Sequence, residues 1–419
     1  MGALYVPSCH HARTKVKTGI PDGPGRHVSE TPTTTMLKAA VLVLFLLAAA
    51  RHGSSQSYNA MLSFGDSISD TGNLCTGTGG CPSWLSTGQP PYGNTFFRRP
   101  TGRCSDGRVV IDFLAEHFGL PLLAPSKESG VDFQKGGNMA ITGATAMDLD
   151  FFKDHGLEKN IWNIASLDTQ IQWFQQLTPS ICVNDCKSYL NNSLFIVGEF
   201  GGNDYNAALF NGSKGMPEIK SWVPQIVHRI TSGVETLIGL GAADVVVPGV
   251  LPIGCFPLYL TLYPSSNKDD YDDTGCLKSY NDLSSFHNDA LKTAVSGLQT
   301  KYPGVRIMYA DFYAQVVDMV RSPDRFGTHS PLIAVASVPS SSGYLETGLK
   351  YGLKVCCGAG GQGSYNYNNG KRCGTAQSSA CGDPENYLVW DGIHLTDAAY
   401  SAIATGWLNG TYCSPGILH

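Results

Sequence analysis

Four apolar runs of strand length constrain this chain more than anything else in it. They are Ala60-Met61-Leu62-Ser63-Phe64-Gly65, Ser193-Leu194-Phe195-Ile196-Val197-Gly198, Asp244-Val245-Val246-Val247-Pro248 and Val305-Arg306-Ile307-Met308-Tyr309-Ala310. Apolar runs without alternation are what strands look like when both faces of a parallel sheet are covered. Between them lie helical patterns. Ser221 is placed to cap a helix whose apolar positions Val223, Ile226, Val227, Ile230, Val234, Leu237 and Ile238 recur every three or four residues, with Gly241 as its stop. A second helix is expected from Ser279 to Lys301. A last one starts near Thr396, its N-cap, with Tyr400, Ile403, Ala404 and Trp407 on one face. Such alternation implies an α/β chain, a parallel sheet flanked by helices in one doubly wound layer structure.

Two stretches break that rhythm. Residues 75–107 and 356–386 are rich in Gly, Cys, Ser and Asn and carry few periodic apolar positions, so they read as long loops rather than linkers. Loops at the carboxyl ends of parallel strands are where such folds hold ligands. With 42% hydrophobic and only 15% charged residues among 419, a large core is within reach and disorder is not the default. No repeat period is visible, which sets solenoids and propellers aside. The expectation is one catalytic domain over 56–419.

The amino end reads as an address rather than as structure. Lys38 precedes twelve unbroken apolar residues, Ala39 to Ala50, followed by the polar stretch Arg51-His52-Gly53-Ser54-Ser55-Gln56-Ser57. That run falls short of the roughly 20 residues a bilayer needs, but suits the apolar centre of a secretory signal, roughly 7–15. The signal is best formed if translation begins at Met36, making 36–55 a signal peptide and 1–35 a disordered or spurious extension. Of 13 cysteines only Cys9 precedes the apolar run, leaving twelve, an even set suited to disulfides in an oxidising compartment. Cys75/Cys81 and Cys182/Cys186 could close local loops, and adjacent Cys356 and Cys357 are expected to pair with different partners; free buried thiols are the alternative. Asn191, Asn211 and Asn409 each precede a Ser or Thr by two positions, the pattern of N-glycan acceptors. No second apolar segment reaches membrane length, so no transmembrane segment is expected. Cleavage after Ser55 would remove six Lys/Arg and two Asp/Glu, taking the net charge from -5 to -9 and arguing against nucleic acid as a partner.

Four short blocks carry the chemistry. Phe64-Gly65-Asp66-Ser67-Ile68-Ser69-Asp70 follows the first strand directly, where a tight turn exposes a serine hydroxyl at the sheet rim; Gly-Asp-Ser is also an ordinary turn. Near the carboxyl end stands Trp390-Asp391-Gly392-Ile393-His394-Leu395-Thr396. Serine at its normal pKa needs a base, usually a neutral imidazole, and the imidazole needs a carboxylate to hold its tautomer. Asp391 and His394, three residues apart before a helix cap, can present both groups from one loop. Gly201-Gly202-Asn203-Asp204 offers a side-chain amide to a developing oxyanion, a role worth roughly 3–4 kcal/mol in comparable sites. In Gly136-Gly137-Asn138-Met139-Ala140-Ile141-Thr142-Gly143-Ala144-Thr145 the glycines let backbone amides approach a substrate.

In order and context the four blocks resemble the GDSL esterase/lipase family of the SGNH hydrolase superfamily, most nearly its large plant group of secreted members. The resemblance runs from about Tyr58 to Cys413 and includes Arg99-Pro100-Thr101-Gly102-Arg103, Asp106-Gly107-Arg108, Pro252-Ile253-Gly254-Cys255 and Tyr309-Ala310-Asp311. It implies a flavodoxin-like three-layer α/β/α sandwich with a central parallel sheet, working without cofactor or metal on a small-molecule ester (a lipid, an acetylated sugar or a phenolic ester) in the apoplast or cell wall. It also assigns Ser67 as nucleophile and His394 as the base oriented by Asp391. Gly143 and Asn203 would complete the oxyanion hole with the Ser67 amide. Gly143 is chosen by the family's Asn-x-x-x-x-Gly-x-Thr pattern, which leaves Gly136 and Gly137 as turn residues. Two positions depart from the family: Ile68 replaces the Leu of its name, and Cys104 stands where an aromatic residue is usual, which puts the shape of that loop in doubt.

Other readings compete. An α/β-hydrolase needs a Gly-x-Ser-x-Gly elbow, which is absent. A metallophosphoesterase could use Asp66, Asn203, Asp391 and His394 as ligands, but no further cluster of His and carboxylates precedes Ser67. A catalytically silent glycan- or lipid-binding protein, or an acyltransferase using the same acyl-enzyme, would share the blocks.

Overall fold

The computed structural model describes residues 56–77, 79–326, 348–360 and 365–418. The expected extension 1–35 and signal peptide 36–55 lie outside them. Its centre is a six-stranded sheet built of β1 (Met61–Phe64), β2 (Gly136–Asn138), β3 (Leu194–Val197), β4 (Asp244–Pro248), β5 (Arg306–Ala310) and β6 (Cys413–Ser414). The strands lie in the order β6-β5-β4-β3-β1-β2. All pairings are parallel except β6 on β5. The order 2-1-3-4-5 is that of flavodoxin-like sheets. Helices cover both faces, giving the three-layer α/β/α sandwich.

The apolar runs end up where their composition demands. Met61 to Phe64 and Leu194 to Val197 are buried throughout, so neither strand has a wet face. The longer helices are α1 (Val110–His117), α2 (Leu167–Ile181), α3 (Gly202–Leu209), α4 (Val223–Leu240), α5 (Lys278–Lys301), α6 (Phe312–Arg321) and α7 (Asp397–Leu408). α4 packs on α5 and α2, and α7 packs on α1. The apolar stripe of α4 is buried from Val223 to Leu237, and Gly241 ends the helix as expected. Thr396 caps α7, its side chain accepting from the Ala399 amide.

Two expectations need correcting. Ser221 does not cap α4: it ends a preceding short helix, Met216–Ser221, and Trp222 carries helical dihedrals straight into α4, leaving no break to cap. Gly136 and Gly137 are not turn residues but form β2, registered against Met61 and Leu62. At Gly136 a β-carbon would fall 1.9 Å from the Met61 carbonyl oxygen and φ is 110°, so only glycine lets the two backbones approach. Among the twelve cysteines, pairing and free buried thiols both occur. Five disulfides form, Cys75–Cys81, Cys182–Cys186, Cys255–Cys276, Cys356–Cys381 and Cys357–Cys373, while Cys104 and Cys413 are buried and free. Those two occupy different places, Cys104 beside the site described below and Cys413 on β6.

Candidate active site

In a sheet that runs from β1 outward to β2 and then back across to β3, the crevice opens beyond the carboxyl ends of β1 and β3. Ser67 follows β1, and Asn203 follows β3. The turn bearing Ser67 is locked from several sides. The Asp66 carbonyl accepts the amides of Ser69 and Asp70 at 3.2 and 2.9 Å. The side chain of Gln170, buried on α2, grips Gly65 at both ends: the Gly65 amide donates to Oε1 at 2.9 Å and Nε2 donates to the Gly65 carbonyl at 2.8 Å. Asp70 accepts the amides of Gly72, Asn73 and Thr142, tying this turn to the segment that holds Gly143.

The Asp391–His394 loop closes over Ser67 from the other end of the chain. Asp391 Oδ1 accepts the amides of Ile393 and His394 at 3.2 and 3.0 Å, which curls the loop and fixes one carboxylate oxygen. Oδ2 then faces His394 Nδ1 at 2.7 Å, and His394 Nε2 faces Ser67 Oγ at 2.8 Å. Burial alone would raise the Asp391 carboxyl, but the adjacent His394 and the hydrogen bonds hold it at about 2. Burial disfavours the charged His394 ring, yet the Asp391 carboxylate lifts it well above the usual histidine range. Cys104, also beside the ring, is kept a neutral thiol by burial and contributes no charge of its own. A row of this kind can take a proton from a hydroxyl and hold the resulting imidazolium.

Gly143 and Asn203 line the same cleft as Ser67. A β-carbon at Gly143, where φ is 85°, would lie 2.3 Å from the ring of Trp162, so this backbone can be crossed closely only because no side chain is there. Asn203 is the second residue of α3. Its Nδ2 donates to Asp66 Oδ2 at 2.8 Å and to the Ala144 carbonyl at 3.0 Å, so in the resting site both amide protons already have acceptors. Behind it sit three buried acids. Burial raises Asp204 to about 6 despite the Ala146 and Met147 amides it accepts, and raises Asp66 and Glu199 as well.

A cleft of about 310 Å³ is lined by Ser67, Gly143, Asn203, Asp391 and His394 together, so all five residues singled out from the sequence meet in one place. Both glycine-rich loops reach it as expected, residues 75–107 with Trp84 and Tyr92 and residues 356–386 with Tyr367 and Arg372. Trp84 and Trp162 stand edge to face at 6.1 Å, more than half exposed at 67% and 56%. A recess of about 40 Å³ that shares Ser67, Asn203 and His394 with the cleft is walled by Leu251, Ile253, Phe256 and Ile393. Sequence reasoning missed Tyr92, Gln170 and Glu199. Only Glu199, at the end of a strand and two residues before the Gly-Gly-Asn block, stood where a signal could have been read. Among the described residues no group of three or more His, Cys, Asp or Glu is disposed to hold a metal ion, and no helix is long and apolar enough to cross a membrane.

Comparison with known proteins makes this α/β chain a serine hydrolase acting on esters. Residues 61–407 match the GDSL-like lipase/acylhydrolase family. A GDSL esterase/lipase of Arabidopsis thaliana is 42% identical over 364 residues, covering 86% of this chain and 87% of its own. A sinapine esterase of Brassica napus is 40% identical over 382 residues, covering 88% of this chain and 90% of its own. Among solved structures, a phospholipase A1 from Streptomyces albidoflavus aligns with 62% of this chain and 82% of its own at 14% identity, with a TM-score of 0.30 that carries no weight. The chain belongs to the GDSL esterase/lipase family.

Proposed function

We propose that the protein hydrolyses carboxylic esters through an acyl-enzyme on Ser67. The observation that carries this is the unbroken row from Ser67 Oγ through both His394 nitrogens to Asp391 Oδ2, at 2.8 and 2.7 Å. His394 Nε2 takes the Ser67 proton as Oγ attacks the ester carbonyl. The oxyanion is held by the Ser67 and Gly143 amides and by Asn203 Nδ2, which gives up one resting bond to reach it. Asp391 stabilises the imidazolium without taking its proton. The imidazolium then protonates the departing alcohol, leaving the acyl group on Oγ. Water, deprotonated by the same nitrogen, attacks the acyl carbonyl; as the bond to Oγ breaks, the imidazolium returns that proton to Oγ and the acid is released.

The two exposed tryptophans support an ester with a flat group on one side, since planar rings lose little entropy on stacking and recover the apolar area left wet at the mouth. Sinapine, named for one relative, is therefore among the esters to assay beside acetyl, long-chain acyl and acetyl-sugar esters. The five disulfides support an oxidising compartment and hence secretion through residues 36–55. Asn191, Asn211 and Asn409 are all exposed, as glycan acceptors must be. Ser67→Ala or His394→Ala should cut turnover by about a thousandfold or more while the protein stays folded. A phosphonate ester should label Ser67 in the unmodified protein, as read by peptide mass. Near-normal turnover in either variant, or a label elsewhere, would overturn the assignment.

A further inference from the structure

Asp391 has a partner besides the histidine. Tyr92, only 2% exposed, donates its hydroxyl to Asp391 Oδ2 at 2.6 Å, the same oxygen that faces His394 Nδ1. The other carboxylate oxygen is filled by two amides of its own loop. Its ring stands edge-on to Trp390 at 5.9 Å, so the phenol reaches Asp391 from a loop that packs beside it, across 299 residues of sequence.

We infer that Tyr92 is a positioning residue of the proposed active site: its hydroxyl fixes the rotation of the Asp391 carboxylate and divides Oδ2 with the His394 ring. The inference rests on the Ser67–His394–Asp391 reading and goes beyond it. A carboxylate held by one loop alone could pivot about the bond to its β-carbon. A second donor at Oδ2, anchored on a different loop, removes that freedom. The phenol also draws charge from the oxygen that makes His394 basic. It thereby keeps the imidazolium acidic enough to return its proton to the leaving alcohol.

The neighbours leave this role to Tyr92. Cys104 on the 75–107 loop and Tyr400 on α7 are kept neutral by burial, as is Tyr92 itself, whose proton Asp391 further secures. Tyr367 and Arg372 line the cleft from the 356–386 loop, and Asp66 faces the ring from the β1 turn. Tyr92 is the phenol that donates to Asp391.

The test is Tyr92→Phe, which keeps the ring and its packing, measured as kcat/KM against pH with a chromogenic acetyl ester. Losing one hydrogen bond to a charged group should lower kcat by about tenfold. The limb on the acid side should move up by about 0.5–1 pH unit as His394 becomes more basic. A fluorinated tyrosine at the same position, a stronger donor of nearly the same shape, should move that limb down and needs no change in packing. The downfield Nδ1 proton resonance of His394 should shift in both variants, and Tyr92→Phe should add no further loss in an Asp391→Asn background. A wild-type pH profile and resonance in both variants, whether or not the rate falls, would reduce Tyr92 to a packing residue and overturn the inference. The triad reading would survive that result; it stands or falls on Ser67→Ala.

Discussion

Asn203 holds the Ser67 turn at rest and is proposed to serve the oxyanion at work. Its amide bridges Asp66 and the Ala144 carbonyl, so each turnover exchanges one protein acceptor for the charged oxygen. Such an exchange favours the transition state selectively, because an oxyanion is a better acceptor than a neutral carbonyl. Asn203→Ala should therefore lower kcat by about a hundred- to a thousandfold with KM nearly unchanged, a split visible in steady-state kinetics. A rise in KM alone would point to ground-state binding instead. At this scale Ser67, Asn203 and the Asp391–His394 pair were readable as candidates only from four blocks taken together and the family resemblance they carry, since a single block is also an ordinary turn or a lone histidine. Tyr92 and Gln170 were not. One works through a contact across 299 residues and the other across 105, and nothing in the residues flanking either announces a partner so far away.

α2 does more than cover the sheet. By gripping Gly65 through Gln170 it sets the exit of β1, and with it the direction of Ser67. Gln170→Met, close in length, would leave the buried Gly65 amide without its acceptor, while the Gly65 carbonyl would keep the Ile141 amide at 3.1 Å. The expected loss is about 1–3 kcal/mol in a denaturant melt, together with a lower kcat. An unchanged midpoint would mean that the Gly65 turn supports itself. The larger elements were visible beforehand for a physical reason. β1, β3, β4 and β5 are apolar runs because both their faces are covered, and α4 shows its stripe because only one of its faces is. β2 was missed because Gly136 and Gly137 contribute no side-chain pattern; what defines it is the backbone of Met61 lying 1.9 Å from where a β-carbon would be. β6, two residues long, offers too little pattern to read.

Over the whole molecule, buried acids should set the dependence of stability on pH. Burial raises Asp106 and Asp204 from 3.8 to about 6, raises Asp70, and raises the Asp66–Glu199 pair. Each binds its proton more tightly folded than unfolded. For Asp106 and Asp204 the stability contributed is therefore complete below 3.8 and lost as pH rises through about 6, at about 1–3 kcal/mol per group, and the others act in the same direction. His394, raised by Asp391, acts in the same direction. His287, pushed from 6.5 down to about 3 by burial, opposes them as pH falls, and Asp391, held at about 2, loses its contribution below 3.8. Acids outnumber His287, so the melting temperature should climb as pH falls from about 7 to about 5 and drop again below about 3. Calorimetry across that range checks it, and a melting temperature highest at neutral pH would refute it. The span between Ser67 and His394, 327 residues, also has a meaning in time. Ser67 leaves the ribosome 327 residues ahead of His394, so a growing chain carries the serine before the base proposed for it. On that proposal the hydroxyl of such a partial chain is unactivated until His394 has followed and folded against it.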